Sequence, residues 1–282
     1  MKQFLGGQGQ LIKISTPIVM GILNLSQDSF YEGSRYDEKG VLAEADKMIQ
    51  EGAKILDLGA VSSRPGAKLL HPEEEWARLS TALKSIRKHF PNQYLSVDTV
   101  NHSTAERAMD LGVNMINDIS GGSLDDNMFK TIAKYQAAYC LMHMPGTPEI
   151  MQNQTQYERG MIQEIQFFLS KQISKAIELG LNDIVIDPGF GFGKKLEQNY
   201  ELAQKFDQLQ VHKLPVLAGI SRKSMLYKAL NTDPNQALNA STALHMLLLT
   251  KGAQILRVHD VKEAVEAIKI FTFVQNPQAC SS

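Results

Sequence analysis

Short apolar runs alternate with longer segments of helical periodicity from residue 18 to residue 273. The runs are rich in Ile, Leu, Val and Met, which is typical of parallel strands buried on both faces. Eight strands are predicted: Ile18–Leu25, Ile55–Gly59, Tyr94–Asp98, Met115–Asp118, Ala138–Met142, Ile184–Asp187, Val216–Ala218 and Ile255–Val258. Recurrent apolar positions between them predict the helices Glu38–Glu51, Pro72–His89, Ser103–Leu111, Gln156–Leu179, Leu196–Leu209, Gln236–Lys251 and Lys262–Thr272.

Glycine closes four of these helices shortly before a predicted strand, at Gly52, Gly112, Gly180 and Gly252. Glycine adopts the left-handed conformation of a helix C-terminus without Cβ strain. Repeated helix–glycine–strand units predict an α/β fold, a single (β/α)8 TIM barrel. The competing architecture is a doubly wound open sheet, which usually has fewer strands and often carries a Gly-x-Gly-x-x-Gly turn after the first strand. That turn is absent from this sequence.

The chain is predicted to form one barrel domain over residues 18–275, because no proline-rich or low-complexity linker divides it. Residues 1–17 precede the barrel, and a short hairpin is expected within them over residues 4–14. Residues 276–282 are expected to form a flexible tail.

Composition narrows the class of protein. The 282 residues carry a net charge of −1, which argues against a nucleic-acid surface or a basic membrane face. Apolar runs are too short to span a bilayer, and the N-terminus lacks a signal peptide. Two cysteines, Cys140 and Cys280, cannot form a disulfide framework, so a cytoplasmic protein is predicted.

Polar residues lie at or near the carboxyl ends of the predicted strands, where barrel enzymes place their active sites. They are Asn24, Asp57, Asp98, Asn117, Asp118, His143, Asp187, Arg257 and His259. Each alone is more often a turn or cap residue, and Asp57 lies mid-strand, where a purely structural role is equally plausible. Together they predict a polar pocket.

Three loops add detail to that pocket. Residues 187–194 interleave three glycines with two phenylalanines, which suits close backbone approach to a flat ring, although a tight turn with two core phenylalanines is the alternative. Residues 221–224 and 63–68 are basic loops after strands seven and two. With Arg257 and His259 at alternate positions, they predict a polyanionic ligand such as pyrophosphate.

Eight motifs in this order resemble those of the dihydropteroate synthase family, over about residues 18–270. They are Met20–Phe30, Gly52–Gly66, Ser96–Thr99, Asn117–Gly122, Leu141–Met144, Asp187–Lys194, Ser221–Ser224 and Arg257–Asp260. The resemblance implies a transferase of folate biosynthesis that joins 6-hydroxymethyl-7,8-dihydropterin pyrophosphate to p-aminobenzoate, giving 7,8-dihydropteroate and pyrophosphate. It also implies a homodimer, bound Mg²⁺ and a sulfonamide target.

The resemblance implies a role for each matching residue. The pterin ring would be hydrogen-bonded by Asp98, Asn117, Asp187 and Lys223, with Arg257 stacked on its face. Asn24 would ligate Mg²⁺, while Ser63, Arg64 and His259 would bind pyrophosphate. The p-aminobenzoate pocket would consist of Phe30, Ser63, Pro65, Phe192 and Ser224. The residues expected to carry catalysis are Asn24, Arg64, Asp98, Lys223, Arg257 and His259.

The sequence departs from the family pattern near two loops. Ser26 and Gln27 replace a usual threonine and proline, and Ser63 replaces a threonine. Ala60 and Val61 stand where glycine and glutamate are common, so the resemblance does not extend to the details of the second loop or to inhibitor sensitivity. These departures support one alternative, a non-catalytic pterin-binding paralogue.

A dissociative, SN1-like displacement of pyrophosphate is favoured, because an aniline is a poor nucleophile and no Ser–His–Asp or Cys–His arrangement is present. A second alternative is a methyltetrahydrofolate:corrinoid methyltransferase, whose barrel also holds a pterin. Such an enzyme has no need of basic loops that bind pyrophosphate.

Overall fold

The computed structural model describes residues 2–25, 31–32, 35–36, 38–60 and 69–278. Its strands are β1 (Phe4–Gly7), β2 (Gln10–Lys13), β3 (Ile18–Asn24), β4 (Tyr31–Glu32), β5 (Arg35–Tyr36), β6 (Ile55–Gly59), β7 (Tyr94–Asp98), β8 (Met115–Asp118), β9 (Ala138–Met142), β10 (Ile184–Asp187), β11 (Leu217–Ala218) and β12 (Ile255–Val258). Its α-helices are α1 (Glu38–Glu51), α2 (Pro72–His89), α3 (His102–Asp110), α4 (Met128–Tyr135), α5 (Met161–Glu178), α6 (Leu196–Gln204), α7 (Ser224–Ala229), α8 (Leu238–Thr250) and α9 (Val261–Gln275).

Eight of the strands pair in parallel and form the predicted barrel. Their order is β10-β9-β8-β7-β6-β3-β12-β11. A parallel bridge between Ile186 and Val216 joins β10 to the segment before β11, so the ends of the sheet meet. The (β/α)8 prediction is therefore confirmed, and the open doubly wound sheet is excluded.

The lower half of the barrel interior is apolar. Alternate strand residues, including Ile55, Tyr94, Met115 and Val185, form one buried cluster there. The predicted hairpin is also present, because β1 pairs antiparallel with β2. Leu5 of this hairpin is fully buried in the same cluster, so the hairpin closes the bottom of the barrel.

A second, larger cluster fills the space between the outer faces of the strands and the helices. The four glycines predicted to end helices all have positive φ angles, between 80° and 108°. Among the described residues, no helix is long and apolar enough to cross a membrane.

The helices differ most from the predictions at α5, α6 and α4, while the bounds of α3, α8 and α9 differ by one to three residues. Helix α5 begins at Met161 instead of Gln156, because Gly160 precedes it with a φ of 90°. Helix α6 ends at Gln204, and the chain continues as a 3-10 helix over Phe206–His212. Helix α4 was not predicted, since at eight residues it is too short for a clear periodic signal.

Candidate active site

A layer of polar side chains stands on the apolar layer inside the barrel. Side chains two residues apart on a strand point to the same side. Asp57, Ser96, Asn117, Asp187 and Arg257 therefore follow the inward-facing Ile55, Tyr94, Met115, Val185 and Ile255. The strand register places Asp98 beside Asn117 and places both Asn24 and Asp98 beside Gly59, all at the carboxyl ends.

Arg257 connects three of the strands. Its Nε donates to Asp57 Oδ2 at 2.6 Å, and its terminal nitrogen donates to Asp98 Oδ2 at 2.9 Å. Asn117 Nδ2 donates to the same Asp57 oxygen at 3.0 Å. Asp57 is fully buried, so its mid-strand carboxylate positions Arg257 and Asn117. The guanidinium is thus oriented by two carboxylates, and the Arg257 side chain remains 15% exposed.

Burial and charge set the protonation of these groups. Burial raises the pKa of Asp98 to about 7, although the neighbouring Arg257 opposes the shift. Burial also raises the pKa of Asp187, while Lys223 acts in the opposite direction. Although burial opposes it, Asp57 and Asp98 raise the pKa of Arg257 above its ordinary value. Arg257 therefore stays charged, and Asp98 titrates near neutral pH.

The loop after β10 forms one wall of the site. Gly189 N donates to Asp187 Oδ1 at 2.7 Å, which fixes the carboxylate. Gly189 has a φ of 72°, and a Cβ there would collide with the carbonyl oxygen of His143, so glycine is required. Lys223 Nζ donates to the carbonyl oxygen of Phe190 and lies 4.5 Å from the ring centroid of Phe192. Burial lowers the pKa of Lys223 to about 8.

The loop after β11 meets the end of β12. Ser221 Oγ lies 3.3 Å from His259 Nδ1 and accepts from the backbone N–H of His259 at 3.2 Å. Arg222, with a φ of 54°, makes a bidentate ion pair with Asp260 at 2.9 and 2.7 Å. The contacts of Ser221 hold His259 near the start of α7, which begins at Ser224.

Comparisons with known proteins identify the family. Residues 20–259 match the model of the family described as pterin binding enzyme. The chain is 37% identical to the dihydropteroate synthase of Escherichia coli K12 over 273 residues, which cover 96% of this chain and 95% of that protein. The chain belongs to the dihydropteroate synthase family. The predicted transferase of folate synthesis is thereby confirmed.

Solved structures of dihydropteroate synthases match the whole barrel. The Thermus thermophilus enzyme in complex with 4-aminobenzoate is 35% identical, with a TM-score of 0.86 over 95% of this chain and 98% of that one. The Coxiella burnetii enzyme in complex with pteroic acid is also 35% identical, with a TM-score of 0.86 over 98% of this chain and 99% of that one.

The residues predicted for the dihydropteroate synthase site fall into two groups. Seven lie around one rim at the carboxyl ends of the strands or in the following loops: Asn24, Asp98, Asn117, Asp187, Lys223, Arg257 and His259. Phe192 and Ser224 belong to the adjoining loops. Phe30, Ser63, Arg64 and Pro65 lie outside the described residues, as do the loop departures at Ser26, Gln27 and Val61.

Two other strand-end residues serve neighbouring loops. Asp118 accepts from Ser120 N at 2.7 Å and from Gly122 N at 3.0 Å, so it braces the loop after β8. His143 receives a hydrogen bond from Lys194, which is buried. No separate role was predicted for Lys194. The position of Lys194 at the end of the glycine-rich loop was the signal that could have identified it as a site residue. The sequence alone did not show that Lys194 is buried.

Proposed function

We propose that this chain condenses 6-hydroxymethyl-7,8-dihydropterin pyrophosphate with p-aminobenzoate to give 7,8-dihydropteroate and pyrophosphate. The observation that carries the proposal is the convergence of a buried carboxylate, an amide, a lysine and an oriented arginine at the mouth of the barrel. A pterin edge has adjacent N–H and amino donors, a ring oxygen acceptor and a flat face, and each of these has a counterpart here.

Asp187 is the proposed acceptor for the pterin donors. Its Oδ1 receives Gly189 N, and its Oδ2 has no hydrogen-bond partner among the described residues. Gly219 leaves room at that oxygen, since a Cβ at this position would lie 3.7 Å from Oδ2. Lys223 supplies the donor to the ring oxygen, and Asp98 and Asn117 hold the rest of the ring edge.

Arg257 is proposed to stack on the pterin face. The two carboxylates that hold its guanidinium restrict it to one plane before the substrate arrives, so less entropy is lost on binding. This arrangement also explains the mid-strand Asp57, for which a purely structural role was an equal alternative.

The leaving group and the second substrate are proposed to occupy the loop side of the rim. His259, Arg64 and Ser63 would bind pyrophosphate, and stabilising its departing charge favours the SN1-like path. The aniline of p-aminobenzoate would then attack from a pocket formed by Phe30, Ser63, Pro65, Phe192 and Ser224. The 4-aminobenzoate bound to the Thermus thermophilus enzyme supports this substrate class.

Mg²⁺ is proposed to accompany the pyrophosphate at Asn24. Asn24 is half-buried at the carboxyl end of β3 and supplies one amide oxygen, a ligand type that Mg²⁺ accepts. Among the described residues there is no cluster of three or more His, Cys, Asp or Glu that could hold a metal. The donor set therefore fits an ion that takes most of its ligands from phosphate oxygens and water, and that neutralises the leaving group when bound.

Three further properties are proposed from the sequence. The family resemblance supports a homodimer, and exposed apolar residues at Leu247, Ile270 and Val274 offer surface for one. The low cysteine content supports a cytoplasmic location. The division into a hairpin segment over residues 1–17, a barrel over 18–275 and a tail over 276–282 also stays a prediction.

The direct test of the pterin site is Asp187→Asn. An amide would present a donor to the donors of the ring. The lost charge-assisted pair and the buried partners left unmatched should cost about 3 kcal/mol or more, so pterin binding should be abolished. The matched control is Asp183→Asn at the opposite end of β10, where Asp183 accepts from Gly6 N at 2.8 Å. Calorimetry with a pterin lacking pyrophosphate should show normal affinity for the control. Near-wild-type affinity in Asp187→Asn would refute the assignment.

A further inference from the structure

Lys194 is a buried cation behind the proposed pterin site. It is 4% exposed, and its Nζ donates to Gly189 O at 2.8 Å, to Phe192 O at 3.0 Å and to His143 Nδ1 at 3.2 Å. All three acceptors are neutral, because burial and the charge of Lys194 lower the pKa of His143 well below its ordinary value. Among the described residues, no carboxylate forms an ion pair with Lys194. Burial of an unpaired ammonium is costly, so a compensating role is expected.

The two carbonyl groups that Lys194 binds belong to the Gly189–Phe192 turn, which lies between the proposed pterin ligands Asp187 and Lys223. Gly189, whose carbonyl it holds, donates its N–H to Asp187 Oδ1. Phe192, the other acceptor, presents its ring to the ammonium of Lys223. Phe190, between them, accepts from Lys223 Nζ. The ammonium of Lys194 therefore holds the Gly189–Phe192 turn from one side, and the other side of the turn contacts both Asp187 and Lys223.

We propose that Lys194 is a positioning residue for the pterin site, which holds the Gly189–Phe192 turn from behind and supplies a positive charge that keeps Asp187 ionised. The proposal rests on the assignment of Asp187 and Lys223 as pterin ligands. Lys194 touches no substrate atom in this scheme. It acts through the two groups that do.

The charges around Lys194 determine the expected pH effect. Burial lowers the pKa of Lys194 to about 7, Asp187 of β10 opposes that shift, and Lys223 of the β11 loop adds to it. The adjacent His143 of β9 is neutral, so Lys194 carries its charge below about pH 7, where Asp187 titrates on acidification. Conversely, Lys223, Arg257 and Lys194 all lower the pKa of Asp187, against burial. Removal of the charge at residue 194 should therefore raise the pKa of Asp187. Because the pterin requires an ionised Asp187, affinity should then be lost at a higher pH as the solution is acidified.

The test is calorimetric titration of 6-hydroxymethylpterin across pH into wild type, Lys194→Met and Lys194→Arg. Lys194→Gln keeps a hydrogen-bond donor without the charge, and it serves if the Met variant does not fold. Two controls separate charge from structure. Lys195→Met removes an exposed positive charge one residue away. Tyr157→Phe removes a neutral hydrogen bond of 2.9 Å to Gly193 O, directly after the Gly189–Phe192 turn.

Lys194→Met is expected to weaken pterin binding at least about ten-fold below pH 7, where Lys194 is charged, since buried hydrogen bonds to a charged group are lost. The acid limb is the part of the pH profile in which pterin affinity falls as the solution is acidified. In Lys194→Met and Lys194→Gln, this acid limb should move to higher pH. Lys194→Arg should retain the wild-type limb, and Lys195→Met should match wild type throughout. Tyr157→Phe should leave the limb in place even if affinity falls.

An unmoved acid limb in both Lys194→Met and Lys194→Gln would overturn the proposal and leave a merely structural lysine. The same titration of Asp187→Asn distinguishes this failure from failure of the proposed function. If Asp187→Asn abolishes binding and the lysine variants bind normally, only the role of Lys194 is refuted. If Asp187→Asn binds normally, the pterin assignment itself is wrong.

Discussion

Asp57→Asn tests how the barrel interior orients the arginine of the site. Asp57 Oδ2 accepts from Arg257 Nε at 2.6 Å and from Asn117 Nδ2 at 3.0 Å, while Oδ1 is buried without a partner among the described residues. The amide can keep its oxygen toward Arg257, but it places an NH₂ group where Oδ1 has no hydrogen-bond partner among the described residues. The substitution removes one charge and adds a buried, unsatisfied donor.

The expected loss of unfolding free energy in Asp57→Asn depends on the hydrogen-bond partners that Arg257 keeps. Loss of the partner of a buried charge costs about 3–5 kcal/mol when nothing replaces it. Asp98 stays at 2.9 Å from the guanidinium, and the amide oxygen still accepts. The expected loss of unfolding free energy is therefore about 1–3 kcal/mol, the difference between charge-assisted and neutral hydrogen bonds plus the unpaired donor. For a chain of this order of size, each kcal/mol lowers Tm by roughly 2–4 °C.

Asp57→Asn should also alter the pH dependence of pterin affinity. The charge of Asp57 raises the pKa of Asp98, so its removal lowers the pKa of Asp98 below the wild-type value of about 7. Asp98 then stays ionised at lower pH, so the part of the affinity loss on acidification that Asp98 causes, in addition to the part caused by Asp187, should move to lower pH.

Urea unfolding and calorimetry across pH measure both effects. The control is Glu73→Gln, which breaks an ion pair between exposed side chains, Glu73 with Arg107, and should change neither. Wild-type stability together with an unmoved acid limb in Asp57→Asn would refute the view that Asp57 orients Arg257.

Three more predictions concern the metal, the order of binding and the buried lysines. Asn24→Ala should lower turnover far more than affinity for a pyrophosphate-free pterin, because its proposed work is on the metal and leaving group; equal losses in kcat and in pterin affinity would indicate a structural role. Calorimetric titration of p-aminobenzoate or a sulfonamide should show tight binding only after pyrophosphate, Mg²⁺ and a pterin are present. Arg64→Ala should abolish this dependence of p-aminobenzoate affinity on the other ligands. An affinity unchanged by those additions would contradict ordered binding. Burial lowers the pKa of Lys194 to about 7 and of Lys223 to about 8, from 10.5, so the unfolded chain binds more protons above these values. Stability of the ligand-free protein should therefore rise with pH from about 7 toward 10, and chemical denaturation of the double variant Lys194→Met/Lys223→Met should lack that rise.

The barrel was predictable because each of its strands has a sequence pattern that is visible within a few neighbouring residues. Six of the eight strands have the predicted bounds, since buried parallel strands are continuous apolar runs between glycine and polar residues. The start of α5 was not predictable in the same way. Residues 156–159 are compatible with a helix, and the conformation of Gly160 depends on how the preceding loop packs.

The candidate site was predictable as a set of residues but not as a network. Strand ends identified Asp98, Asn117, Asp187 and Arg257, because parallel strands end at one rim. The contact of Arg257 with Asp57 joins residues 200 positions apart, and no spacing rule reveals it. Lys194 was missed for the same reason, since its contact with His143, 51 positions away, forms only in the fold.

Pyrophosphate release in the presence and absence of p-aminobenzoate tests the central claim most directly. The protein, 6-hydroxymethyl-7,8-dihydropterin pyrophosphate and Mg²⁺ are mixed, and released pyrophosphate and 7,8-dihydropteroate are both quantified, with Asp187→Asn as the inactive reference. A synthase should release pyrophosphate steadily only with p-aminobenzoate, one mole for each mole of dihydropteroate. Tight pterin binding with no release under any condition would contradict the account and indicate a non-catalytic pterin-binding protein.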